Sequence, residues 1–208
     1  MRFLDELKMY IEGRTGYKVE EKVRWGTGSA ILIADTGGAL PRYVAFKAIL
    51  QARGRARTFL RELIKWVHVS GHPLVLYPTM MFSLKGCPII CMPYMDLDLD
   101  SYLDMNKKLD LQTTLTISLQ ILKALLHLRS RGIWAHQDLK PSNVLLEDLS
   151  KKFAGFPLND VHPSLKWRVK VADFGLADAW REVGVVRGTL PYMAPEQYVP
   201  KGVKVEIK

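Results

Sequence analysis

The chain has 208 residues, is 48% hydrophobic and 25% charged, and carries a formal net charge of +9. This length suits one ordinary domain or two small lobes, and the composition is that of a soluble globular protein, not a disordered one. No apolar run reaches about 18 residues, which argues against a membrane span, and the mixed start MRFLDELKMYI lacks the unbroken apolar core of a secretory signal.

Cys87 and Cys91 are the only cysteines. Two thiols without a secretion signal point to a reduced, cytoplasmic protein in which both are structural. The basic balance suits a phosphate-rich ligand or an acidic partner. Arg53, Arg57, Arg61 and Lys65 recur every fourth residue, but no aromatic side chains interleave with them as in single-strand binders, which argues against nucleic acid.

In chain order, Leu4, Leu7, Met9 and Ile11 predict a short amphipathic helix ending near Gly13 or Gly16. Tyr17 to Arg24 predicts a strand that runs into W-G-T-G-S-A-I-L-I. Gly26 and Gly28 allow a tight turn and close backbone approach to a ligand, or simply a hairpin. Tyr43 to Ile49 predicts a strand with Ala45 and Lys47 on one face. Small Ala45 leaves room for a flat ring, and Lys47 can reach phosphates. From Thr36 to Met95 the one acid is Glu62. Helical spacing places it with Phe59, Leu63, Trp66 and Val67 on an apolar stripe, where a carboxylate is costly unless paired. Leu74–Phe82 and Pro88–Met92 predict two further strands. Asp96, Asp98 and Asp100 suit a helix N-terminus. Leu111, Leu115, Ser118, Leu119, Leu122, Leu125 and Leu126 predict a long amphipathic helix stopped by Gly132.

His136 to Asn143 reads H-Q-D-L-K-P-S-N. Asp138 can accept a proton, Lys140 is a cation two positions on, and Asn143 is a neutral oxygen ligand. Pro141 disfavours helix at Lys140, so a fixed loop is expected, followed by a short buried strand at Val144-Leu145-Leu146. Base, cation and metal ligand in one loop suit phosphoryl transfer to a hydroxyl, where positioning and charge neutralisation dominate. Glu147 to Trp167, with Gly155, Pro157 and Pro163, is expected to be a long loop. Arg168 to Ala172 predicts a strand with Val169, Val171 and Asp173 on one face. It leads into Asp173-Phe174-Gly175, where the acid could bind magnesium. Gly188 to Glu196 reads G-T-L-P-Y-M-A-P-E.

These segments, in this order, resemble the signature set of eukaryotic-type serine/threonine protein kinases: the Gly-rich loop, V-A-I-K (here Val44-Ala45-Phe46-Lys47), the catalytic loop, D-F-G and A-P-E. Ile31 stands where that family's third loop glycine falls, and Ile33 where its valine falls. The resemblance implies an α+β, two-lobed fold. Residues 1–94 would form a β-rich nucleotide-covering lobe with one key helix, and residues 95–208 a helical lobe. That second lobe would be incomplete, because the resemblance stops near Gly202. It implies ATP and Mg2+ as cofactors and a protein Ser/Thr hydroxyl as acceptor. Asp138 would be the base, Lys140 the charge on the transferred group, and Asn143 and Asp173 the metal ligands. Lys47, set by Glu62, would hold the α- and β-phosphates. Gly26, Gly28, Ile33, Ala45, Met92, Pro93 and Met95 would enclose the nucleotide. Asp98 would meet the ribose, cap a helix, or do both. Thr189 would contact Asp138 and Lys140. Glu196 would lack its usual arginine partner, and self-association or another segment would have to cover the apolar surface left open.

Gln137 replaces the arginine that grips an activation-loop phosphate in many relatives of that family, and residues 176–187 contain no Ser, Thr or Tyr. A constitutive enzyme, or one regulated otherwise, is the expectation. A kinase-derived binding module without catalysis and a small-molecule kinase are the alternatives. The peptide-docking segment argues against the latter.

Overall fold

The computed structural model describes residues 3–26, 28–39, 41–50, 56–152, 166–174 and 188–197. The chain divides into two compact units, Met1–Arg61 with Leu76–Tyr94, and Glu62–Val75 with Met95–Lys208.

The first unit is a five-stranded antiparallel sheet with an N-terminal helix and the start of a second. Helix α1 (Phe3–Thr15) precedes β1 (Lys18–Gly26), β2 (Ser29–Asp35), β3 (Tyr43–Ile49), β4 (Met80–Leu84) and β5 (Cys87–Pro93), and the spatial order is β1-β2-β3-β5-β4. Alternation along the strands separates two faces. On one, Leu32, Phe46 and Cys91 lie in register and share a core with Leu7 and Ile11 of α1. On the other, two cross-strand rows run side by side, Ile31–Lys47–Ile90 and Ile33–Ala45–Met92. The β1–β2 turn uses Gly28 at φ 73°, a conformation that costs a glycine little. Cys87 and Cys91 are buried and unbridged, and burial pushes the Cys91 thiol up.

The predicted strand over Leu74–Phe82 begins only at Met80. Leu74 and Val75 belong to the second unit, where Val75 bridges Val171 in parallel and the Leu74 carbonyl accepts from the Val171 N–H at 2.9 Å. Pro78, with no N–H to give a ladder, lies between the two pairings.

The second unit holds the end of α2 (Ala56–Val69), then β6 (Leu97–Asp98), α3 (Leu99–Asn106), α4 (Leu111–Ser130), β7 (Val144–Asp148), α5 (Leu149–Lys152) and β8 (Trp167–Val171). Strands β6, β7 and β8 form a small antiparallel sheet in that order. Asp98 caps α3 and Asp110 caps α4, each accepting a backbone N–H three residues on at 2.8 Å. On α2 it is Val69, not Val67, that reaches the core; Val67 is exposed. The ends of the expected 147–167 loop are strand, since β7 runs to Asp148 and β8 starts at Trp167. Residues 153–165 lie outside the described residues.

Helix α4 turns the opposite way from its leucine periodicity. Its buried residues are Thr113, Ile117, Ala124 and Leu128. Leu111, Leu115, Leu119, Leu122 and Leu126 are exposed, by 53–74%. The helix is apolar on two sides, and the side with smaller residues and a glutamine packs on β8. Gln120 bonds that strand's edge as another strand would, donating to the Trp167 carbonyl at 3.0 Å and accepting from the Val169 N–H at 2.9 Å. We expect Leu146→Ala, which empties a fully buried site in the β7 core, to cost about 2–5 kcal/mol in urea unfolding. Leu122→Gln on the exposed face should stay within about 0.5 kcal/mol of the parent.

Candidate active site

The strand pair β7–β8 sets the loop that precedes it. Lys140 is extended (φ −151°, ψ 163°), as the residue before a proline must be, and Pro141–Asn143 forms one 3-10 turn. The Asn143 carbonyl accepts from the Ala172 N–H at 2.9 Å, so the ladder continues past both strand ends. Loop and strand therefore leave the sheet from fixed points.

Four side chains converge there. Lys140 Nζ donates to Thr189 Oγ1 at 2.7 Å, and Thr189 Oγ1 donates to Asp138 Oδ1 at 2.7 Å. Lys140 Nζ also lies 3.3 Å from Asp138 Oδ2. Asn143 Nδ2 donates to the Asp138 carbonyl at 2.8 Å and to Oδ2 at 3.2 Å. One carboxylate thus accepts from a hydroxyl and an amide and faces a cation. It cannot swing away without breaking several charge-assisted bonds. The carboxylate remains a proton acceptor, and the ammonium supplies positive charge beside it.

Asp173 departs from its expected strand face. Strand β8 ends at Val171; Asp173 is exposed and left-handed at φ 65°, while Phe174 is buried. Gln137 is likewise left-handed at φ 64°. Each such turn costs a non-glycine residue on the order of 1 kcal/mol, and together they re-aim the chain on either side of the site.

His136 is packed, not exposed to a ligand. Its Nε2 donates to the Ala172 carbonyl at 3.0 Å, and its ring centroid lies 5.3 Å from that of Phe174. Its Nδ1 is the one buried side-chain polar atom without a partner among the described residues. Burial lowers the His136 pKa, against the opposing pull of the Ala172 bond, Asp173 and Asp138. Nearby, a cavity of about 240 Å3 is lined by Leu125, Leu128, Ile133, Trp134, Leu139 and Tyr192, among others.

The remaining expected residues fall as follows. Ile33, Ala45 and Met92 form one cross-strand row of the first unit, with Lys47 in the adjoining row. Gly26 and Gly28 flank the β1–β2 turn, and Pro93 ends β5 opposite Val44. In the second unit Glu62 is half-buried on α2 and Met95 is buried. Both Asp98 oxygens accept from Ser101, its N–H at 2.8 Å and its hydroxyl at 3.0 Å. The Glu196 side chain and residues 175–187 lie outside the described residues.

Comparison with known proteins identifies the family. A family model for the protein kinase domain matches residues 18–207. The chain belongs to the protein kinase family. It is 30% identical over 197 residues to the serine/threonine-protein kinase ksp1 of Schizosaccharomyces pombe, covering 89% of this chain and 38% of that protein. It is 29% identical over 187 residues to the mouse serine/threonine-protein kinase SBK1, covering 86% and 40%. The fused kinase of Drosophila melanogaster is 29% identical over 162 residues, covering 74% and 18%. This kinase-family chain thus spans about two fifths or less of the length of these curated relatives.

Sequence reasoning did not single out Gln197, which bonds the loop of this kinase-family chain at Gln137. The identity of a lone glutamine after A-P-E carries no signal of its partner. It also missed the histidine cluster around His72. The His72 ring stacks on His127 with centroids 4.5 Å apart, and its Nδ1 accepts from the Leu74 N–H at 3.2 Å. Burial first, then the His127 and Lys170 charges, lower its pKa. With His72 and His136 both depressed, the unfolded chain gains protons through about pH 6.5 while the folded chain resists them. Stability should therefore fall as pH drops from 7.5 to 5.5. His72→Gln should flatten that slope, read as the urea midpoint against pH.

Proposed function

We propose that this chain transfers the γ-phosphoryl group of ATP to Ser or Thr hydroxyls of proteins. The observation that carries the reading is the Asp138 carboxylate held by Thr189 and Asn143 with Lys140 beside it. Family membership supports it. Asp138 would take the hydroxyl proton or orient the hydroxyl for attack. Lys140 would neutralise charge on the phosphoryl group in flight. Thr189, bonded to both, would hold them in register while a peptide docks.

Asn143 and Asp173 fit a magnesium site in chemistry. Asn143 spends its amide N–H groups on Asp138 and so keeps its carbonyl oxygen for a hard cation, and Asp173 is an exposed carboxylate. Bound there, magnesium would offset phosphate charge. In the first unit Lys47, set by Glu62, would bind the α- and β-phosphates under the Gly26–Gly28 turn. The Ile33–Ala45–Met92 row would pack on the adenine. The Pro93 carbonyl and the Met95 backbone would bond its edge, and Asp98 would reach the ribose. Residues 1–94 and 95–208 would act as the two lobes, in the cytoplasm.

A second reading is favoured by one observation, the exposed leucines of α4. Such a patch marks an interaction surface, covered by self-association or by another segment. In that reading the chain is a kinase-derived module that binds ATP without turnover.

With labelled ATP, magnesium and a generic basic protein, we expect transfer to Ser or Thr. Asp138→Ala should reduce it by about 100- to 10,000-fold while ATP binding is retained. ATP bound by the parent with no transfer would favour the module. Regulation should not run through residues 175–188, which offer no acceptor. Phosphopeptide mapping of the active protein should find no phosphate there, and treatment with a phosphatase should leave its rate unchanged.

A further inference from the structure

The Gly188–Gln197 segment is tied to the catalytic loop one residue away from the Asp138–Thr189 bond. Gln197 Nε2 donates to the Gln137 carbonyl at 3.0 Å, and Gln197 Oε1 accepts from the Ala194 N–H at 2.9 Å. The Gln197 N–H in turn donates to the Ala194 carbonyl at 2.9 Å. Side chain and backbone thus close a reciprocal ring around Pro195, like a capping box. Gly188 closes on the same carbonyl. At φ +134° it adopts a backbone conformation that L residues rarely take, and a Cβ there would come within 3.0 Å of the Gln137 oxygen and 3.1 Å of Gln197 Nε2. Gln137 precedes Asp138 and Gly188 precedes Thr189. Two adjacent pairs are therefore drawn together, one by backbone and amide, the next by Thr189 and Asp138.

We propose that Gln197 is a positioning residue for protein phosphorylation, a clamp that seats the docking segment on the left-handed Gln137 turn and thereby sets Thr189 against Asp138 and Lys140. This rests on the kinase reading above. A glutamine suits the task because one planar amide offers both a donor and an acceptor. A carboxylate of the same size keeps the acceptor for Ala194 but sets oxygen against oxygen at Gln137. A leucine offers neither. Neither variant changes a group proposed to touch ATP.

The test compares the full chain with Gln197→Glu and Gln197→Leu by two readouts. In amide hydrogen exchange, residues 188–197 should exchange about tenfold faster or more in both variants, with β7 and β8 protected as in the parent. In phosphorylation of a basic protein, kcat should fall about 10- to 100-fold with KM for ATP unchanged. Unchanged exchange, or parental kcat in both variants, would overturn the clamp. Equal losses in ATP affinity and kcat would also count against it, because that is what general destabilisation gives. If the parent transfers no phosphate, the kinase reading fails on its own, and the exchange comparison still decides whether Gln197 holds the segment.

Discussion

The buried antiparallel pair β7–β8 is the constraint on which the candidate site depends. Leu146, Val169 and Val171 of the small sheet are fully buried in one core with Ile117, Ala124 and Leu128 of helix α4. Apolar burial on this scale makes the pair hard to shift, since core packing leaves little slack. The pair's two ends carry the chemistry. Asn143 enters one strand and Ala172 leaves the other, and a backbone bond joins them. The loop that carries Asp138, Lys140 and Asn143 runs into β7, so its polar groups start from a position that the apolar pair has set.

That arrangement separates stability from chemistry in space but not in sequence. Asp138, Lys140 and Asn143 lie within six residues of one another, yet Thr189 comes from far along the chain to complete the cluster. The polar groups satisfy one another in a half-buried setting, where charge-assisted bonds are worth more than in open water. Left-handed turns at Gln137 and Asp173 are the local cost of aiming two such segments at one place.

The first unit shows the same division. Alternation along β2, β3 and β5 gives one face to the α1 core and the other to the rows that include Lys47 and Ala45. A single-residue slip in any strand would exchange the two faces. Register keeps Ala45 beside Ile33 and Met92, and Lys47 beside Ile31 and Ile90 in the adjoining row.

Much of this was legible in the residues. The alternation at Tyr43–Ile49, the H-Q-D-L-K-P-S-N loop with its proline, and the Asp98 cap are local features, and local sterics and hydrogen bonding dictate them. Which side of α4 is buried was not legible. Both sides carry apolar residues, and only the neighbouring strand's need for a close, partly polar partner chose the one with Thr113, Ala124 and Gln120. The same holds for Leu74–Val75, drawn to Val171 and out of the predicted strand, and for Gln197, whose amide means nothing until Gln137 is beside it. Sequence alone determined most of the elements, the family resemblance and the kinds of chemical group. Tertiary structure decided faces, partners and distances, because those depend on contacts between residues far apart in the chain.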